Sequence, residues 1–159
     1  MSRAPITLFE GGLADLDAVM AVMDDSFDPS FGEAWTASQC AGLMALPGVW
    51  LSLAREGGEP AGFALARATA NEAELLLLAV RKDKQSRGVG GLLLDRFEQL
   101  AGARGAERLH LEVREGNHAV RLYEHAGYFL VGRRRNYYTG GDGICYDALT
   151  LAKITPETP

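Results

Sequence analysis

Leu13, Leu16, Val19, Met20 and Met23 recur at intervals of three and four, with polar or small residues between them. That spacing puts them on one face of an amphipathic helix over roughly residues 13–26. Ahead of it, Ile6–Phe9 reads as a first strand. Asp28-Pro29-Ser30-Phe31-Gly32 ends the helix with turn-forming residues. Thr36 followed by Gln39 has the form of a capping box, opening a second helix that stops before Pro47-Gly48. Val49–Ala54 and Gly62–Ala68 read as strands joined into a hairpin by Glu56-Gly57-Gly58-Glu59. Glu74–Val80 is an almost unbroken apolar run. It is short and leads into a turn, so it predicts a central strand buried on both faces.

Leu92, Leu93, Phe97 and Leu100 give a third helix its buried stripe, with Gly102 and Gly105 near its end. Arg108–Arg114 alternates as a strand. Residues 118–126 form a short helix closed by Gly127. Tyr128–Arg134 and Ile144–Leu151 are two late strands around Gly140-Gly141-Asp142-Gly143. The order β-α-α-β-β-β-α-β-α-β-β predicts an α/β (α+β) fold, with about four helices packed on a mixed sheet of about seven strands.

A chain of 159 residues fits one domain, here residues 1–154, with Thr155–Pro159 expected to be a disordered tail. Its 47% apolar and 23% charged residues are ordinary for a soluble protein. A net charge of −5 argues against nucleic acid as a partner and suits a cationic substrate. Cys40 and Cys145 lie far apart and form no CxxC pair, and His110, His118 and His125 have no ligand-like spacing, so no metal is expected. Two unpaired thiols fit a reducing compartment. No apolar run approaches the roughly 20 residues that cross a bilayer. Met1-Ser2-Arg3-Ala4-Pro5 lacks a signal-peptide apolar region. The expectation is a cytoplasmic protein with no membrane partner.

The chemistry starts at Gln85-Ser86-Arg87-Gly88-Val89-Gly90-Gly91-Leu92, between the apolar strand and the third helix. A glycine-rich turn entering a helix N-terminus exposes backbone N–H groups and partial positive charge, which suits phosphate. A dinucleotide fingerprint fails because the sixth position from Gly88 is Leu93. A mononucleotide P-loop fails because Gly90-Gly91 is followed by Leu92 rather than Lys-Ser/Thr. Gln85-x-x-Gly88-x-Gly90 fits a third pattern, Q/R-x-x-G-x-G/A, of a coenzyme A pyrophosphate loop, and taken alone it fits an ordinary helix-start turn equally well.

With this loop come Glu72-Ala73, Leu78-Ala79-Val80, Leu111-Glu112-Val113-Arg114, Asn117, Leu122-Tyr123-Glu124, Gly127-Tyr128 and Arg134-Arg135-Asn136-Tyr137-Tyr138. In that order they resemble the GCN5-related N-acetyltransferases (GNAT), and within them the ribosomal-protein alanine N-acetyltransferase (RimI-like) group. The resemblance covers most of the chain and is densest over Glu72–Leu151. It implies a sheet splayed between the Leu75–Val80 and Leu109–Arg114 strands, and direct acetyl transfer from acetyl-CoA to an amine. It implies that Gln85, Ser86, Arg87, Gly88, Val89, Gly90 and Gly91 receive the pyrophosphate. Pantetheine would run along Leu78, Ala79 and Val80 like an added strand, with Asn117 and Tyr123 also facing the coenzyme.

The reaction needs a deprotonated amine. A protein α-amine has a pKa of about 7.7–8.0, against about 10.4 for lysine, so a modest base suffices. Glu112 is the candidate base, because an apolar strand would desolvate it and raise its proton affinity. Tyr123 is the candidate acid for the departing thiolate, as the resemblance implies. Trp35, Tyr137 and Tyr138 are candidates for holding the substrate N-terminus.

Each assignment has a plainer alternative. Alternation places Glu112 opposite Leu109 and Leu111, as an exposed strand carboxylate would be. Tyr123 and Trp35 also suit the core, Asn117 an N-cap, and Tyr137 and Tyr138 a surface hairpin. Lys82 and Lys84 are either phosphate-directed or solvated. The interval from Asn117 to Tyr123 is one residue shorter than in the group, which makes Gly116 the alternative occupant of the asparagine position. The leading expectation is an N-α-acetyltransferase for the N-terminal alanine of a small-subunit ribosomal protein. The alternatives are acetylation of another protein N-terminus, a lysine or a small amine, and a coenzyme A-binding module without turnover.

Overall fold

A computed structural model of the chain describes residues 4–155. The expected tail beyond Thr155, and Met1–Arg3, lie outside the described residues. Seven strands form one sheet: β1 (Ile6–Gly11), β2 (Val49–Glu56), β3 (Glu59–Thr69), β4 (Glu72–Val80), β5 (Arg108–Arg114), β6 (Phe129–Thr139) and β7 (Cys145–Ile154). Four α-helices accompany them: α1 (Leu16–Ser26), α2 (Ala37–Met44), α3 (Val89–Ala103) and α4 (Ala119–His125). The strand order is β1-β2-β3-β4-β5-β7-β6, and the β4–β5 pair is parallel while its neighbours are antiparallel.

Strand periodicity divides the core into two. Leu51, Leu53, Phe63 and Leu65 face Val19, Val22 and Met23 of α1 and Cys40 of α2. Trp50, Ala54, Ala64 and Ala66 face Leu93, Leu94, Phe97 and Ala101 of α3. The alanines let α3 lie close to the strands. Thr36 caps α2 as its sequence predicts: its hydroxyl accepts from Gln39 N at 3.2 Å, and Gln39 returns its side-chain oxygen to Thr36 N at 2.8 Å. The first helix is shorter than its periodicity suggests. Leu13–Asp15 is a separate 3-10 turn with Leu13 exposed, because Asp15 bonds back to Gly12 N at 2.9 Å.

The apolar run Glu74–Val80 differs from a uniformly buried strand. Ala73 and Leu75 pack on the α3 side, whereas Leu77 and Ala79 pack on the α1 side. The inversion comes from a bulge: Leu65 pairs with Leu77 and Ala66 with Leu75, leaving Leu76 as the extra residue. A bulge of one residue flips the faces of everything beyond it and bends its strand. Six consecutive apolar residues, Leu75–Val80, carry no sign of where that flip falls.

Candidate active site

The bulge opens the sheet. β4 and β5 pair from Glu72–Arg108 to Leu75–Leu111 and no further, although both strands continue. Beyond that point Glu112, Val113 and Arg114 pair only with β7. Leu76–Val80 is thus unpaired with β5, with Leu78, Ala79 and Val80 along it, and of these Val80 O accepts from Ser26 Oγ at 2.9 Å and Gln85 Nε2 at 3.0 Å. A free strand edge presents unpaired N–H and C=O groups to an extended ligand.

The glycine turn lies at the open end of this cleft. Gly88 adopts φ +82° and caps α3, and Ser86 before it has φ +61°. Leu92 N to Gly88 O, 3.0 Å, is the first bond of the helix, which leaves the N–H groups of Val89, Gly90 and Gly91 without helical acceptors. A Cβ on Gly88 or Gly91 would meet nothing within 4 Å, whereas one on Gly90 would come to 3.2 Å from Leu122 of α4. Two of these glycines therefore border open space, and the third permits helix contact. The charged side chains of the loop point elsewhere. Arg87 pairs with Glu56 at 2.7 Å, with Lys84 3.7 Å from the same oxygen, and Gln85 Nε2 donates to Val80 O at 3.0 Å. What the turn offers an anion is main chain and helix dipole.

Glu112 projects at the point where the strands part. It does lie opposite the leucines, as alternation requires, yet its side chain is only 13% exposed. Arg134 of β6 covers it, with Nε 2.6 Å from Oε1, while Oε2 is buried with no hydrogen-bond partner among the described residues. Burial pushes the Glu112 carboxyl above its ordinary range; Arg134 opposes this and Glu74 adds to it. His110, on the same face, lies 3.7 Å from Glu74, whose carboxylate raises the imidazole's proton affinity.

Tyr123, on α4, is buried in the α3-side core and meets Tyr128 edge-on at 5.9 Å. Desolvation, followed by the nearness of Tyr138 and Glu33, drives its hydroxyl far above the usual tyrosine range. It stays protonated at any working pH. Tyr138 is half-buried and shifted the same way, first by burial and then by Glu33, with Glu112 also contributing. Tyr138 therefore lies within electrostatic reach of both Glu33 and Glu112, and Tyr123 within reach of Tyr138 and Glu33. Tyr137 is exposed and packs edge-on against Tyr138 at 4.9 Å. Tyr137 lies in, and Tyr138 directly follows, a bulge in β6, where Arg134 pairs with Ala148 and Tyr138 with Tyr146, so residues 135–137 oppose Asp147 alone. Asn136 takes φ +53° there, its N–H held by Asp147 at 3.0 Å. Trp35 packs partly buried against the α1-side core, which is its plainer reading.

Sequence reasoning missed Glu33. Its buried carboxylate accepts from Arg114 Nε at 2.9 Å and from Asn117 Nδ2 at 2.7 Å. Arg114 is stacked on Phe31, 3.7 Å from the ring centre, and lies 5.7 Å from that of Tyr146. Asn117 turns its oxygen to Ala119 N at 2.8 Å, so it caps the start of α4 while bonding Glu33. The loop carrying Glu33 is locked to the β6–β7 hairpin: a Cβ on Gly32 would lie 2.1 Å from Thr139 O, and one on Gly140 1.8 Å from Ser30 O. Nothing local marks Glu33, which is 81 positions away from Arg114.

Over 98 residues the chain is 39% identical to the [ribosomal protein bS18]-alanine N-acetyltransferase of Escherichia coli K12, and over 97 residues 36% identical to that of Haemophilus influenzae. Each match covers 61% of this chain and 66% of the relative, just under two thirds of its length. The crystal structure of the E. coli ribosomal-protein-S18-alanine N-acetyltransferase superposes with a TM-score of 0.85 at 29% identity, covering 98% of this chain and 97% of that one. Ard1 from Thermoplasma volcanium superposes at 0.81 with 26% identity, over 96% and 99% of the two chains. The model of the acetyltransferase (GNAT) family matches residues 16–128, from α1 through the split strands and the glycine turn to Tyr128, and the chain belongs to that family.

Proposed function

We propose that this protein is an acetyl-CoA-dependent N-α-acetyltransferase acting on the N-terminal alanine of a small-subunit ribosomal protein of the bS18 type. The observation that carries the reading is the parting of β4 and β5 at Leu75–Leu111, with Glu112 on one lip and the α3 turn at the end of the other. The residues present fit the coenzyme. The main-chain N–H groups of residues 88–91 suit its pyrophosphate, and the space beside Gly88 and Gly91 gives it room. The edge of Leu78–Val80 left unpaired by β5 suits its pantetheine arm. Bound there, acetyl-CoA would supply an activated acetyl thioester.

The chain's own groups do the rest. Glu112 Oε2, buried and without a partner among the described residues, is placed to take a proton from an α-ammonium directly or through one water. Its raised proton affinity matches an α-amine better than an ordinary carboxylate would. Tyr123 keeps its proton and is the donor for the thiolate, whose own proton affinity burial raises in turn. Tyr138, between Glu33 and Glu112, offers a hydroxyl to the first peptide unit of the substrate. The names of the relatives support the alanine N-terminus of bS18 as the substrate. The reading also takes the chain to work in the cytoplasm.

The test is transfer from acetyl-CoA to short peptides beginning with Ala, Ser, Met or blocked Ala. Turnover restricted to free N-terminal Ala supports the proposal. Equal turnover of a blocked peptide bearing lysine, or none with any amine, overturns it.

A further inference from the structure

Glu112 is held by one oxygen only. Oε1 takes Arg134 Nε at 2.6 Å and Oε2 is buried without a partner among the described residues. Arg134 comes from two strands away. It pairs with Ala148 of β7, which pairs with Arg114 of β5, so the three share a face. The guanidinium thus crosses a single methyl group to reach Glu112, one pleat away. Arg134 is the last residue of β6 in register before the three-residue bulge, and Asp147 pins that bulge through Asn136 N. Its side chain is 62% exposed. An exposed arginine directed inward onto a nearly buried carboxylate is costly in side-chain freedom and gains little stability.

We propose that Arg134 is a positioning residue for acetyl transfer: by occupying Oε1 it fixes the plane of the Glu112 carboxylate and leaves Oε2 to meet the substrate amine. This rests on Glu112 being the base. Guanidinium suits the task because its rigid N–H fork fixes orientation as well as supplying charge. The other titratable groups around Glu112 are Glu74 from β4, His110 and Arg114 from β5, the latter paired with Glu33, and Tyr138 from β6, while β7 presents Thr150. Among them Arg134 is the fixed positive charge in contact with the carboxylate.

The test compares Arg134→Met, Arg134→Lys and Glu112→Gln with wild type. Rates are followed over about pH 5 to 9 at saturating acetyl-CoA with a free-Ala peptide, where the acid limb reports the base. The substrate's own titration is common to all four proteins, so differences between them belong to the enzyme. Arg134→Met should move the acid limb up by about one pH unit, the low end of what a neighbouring opposite charge does to a carboxylate. It should also lower plateau kcat roughly tenfold, a fraction of what a general base contributes. Arg134→Lys should return the limb close to wild type while kcat stays reduced, since ammonium supplies charge without the fork. Acetyl-CoA affinity by calorimetry should be unchanged in both. A wild-type limb and kcat in Arg134→Met, beside an inactive Glu112→Gln, would overturn the role of Arg134 and leave the base standing. Wild-type turnover in Glu112→Gln would overturn both.

Discussion

Replacing Glu33 with glutamine tests the contact that ties the loop before α2 to β5 and α4. Glu33 and Arg114 side chains are 9% and 10% exposed, and the carboxylate spends one oxygen on Arg114 at 2.9 Å and the other on Asn117 at 2.7 Å. Glutamine keeps one acceptor, which Arg114 can use, but then turns its amide nitrogen towards the amide nitrogen of Asn117. Two donors face each other. Rotating Asn117 relieves the clash only by withdrawing its oxygen from Ala119 N, which it caps at 2.8 Å. One hydrogen bond is lost either way, at about 1 kcal/mol. Removing one partner from a buried ion pair costs about 3–5 kcal/mol. Glutamine still accepts from Arg114, which also retains Glu115 O at 3.1 Å and the face of Phe31, so the loss falls below that range, at about 2 kcal/mol, the worth of one hydrogen bond to a charged group. For a chain of this size that is a fall in Tm of about 4–8 °C. Thermal unfolding by circular dichroism of Glu33→Gln, Arg114→Met and the double variant measures it. The double variant should be less destabilised than the sum of the singles by at least about 1 kcal/mol. A Glu33→Gln melt within about 1 °C of wild type, or additive losses, would refute the coupling.

Tyr123 makes no side-chain hydrogen bond among the described residues, so Tyr123→Phe should leave Tm within about 2 °C of wild type while lowering kcat roughly a hundredfold; a silent kcat removes Tyr123 as the acid. Glu112→Gln should abolish most turnover at pH 7 without lowering Tm. A carboxyl with a folded-state pKa raised by burial favours the native state at low pH and loses that contribution as pH rises through the raised value. The neutral isostere should therefore be the more stable protein at neutral pH, with the gap closing on acidification; the opposite trend in pH-dependent melts would contradict the shift. Gly88→Val forces a β-branched residue to φ +82° at the mouth of the cleft and should weaken acetyl-CoA binding at least about tenfold by calorimetry. Unchanged affinity there would discard the phosphate turn. Glu56→Gln removes the charge that gathers Arg87 and Lys84, and should raise KM for acetyl-CoA several-fold as the loop loosens, while kcat at saturation holds.

Short-range physics wrote much of this molecule into its sequence. Helix stripes, the Thr36–Gln39 box, the hairpin at Gly57-Gly58 and the glycine turn before α3 each depend on residues a few positions apart, so all were legible. Alternation in Leu109–Arg114 placed Glu112 opposite Leu109 and Leu111 without any structure. Other features needed the third dimension. The flip at Leu76 is invisible among leucines, because every register of an all-apolar strand has the same composition. The splay that follows it decides whether a turn and a carboxylate become a cleft. Glu33 meets Arg114 and Asn117 only because Gly32 and Gly140 allow two distant loops to touch. Arg134 reaches Glu112 only through strand order, with β7 inserted between β5 and β6. The sequence alone determined which elements form and which groups are candidates for the chemistry, since both follow from local pattern and motif. Which oxygen of Glu112 is free, what holds Asn117 and where the sheet opens were settled by tertiary packing, since each rests on atoms that are neighbours in space and not in the chain.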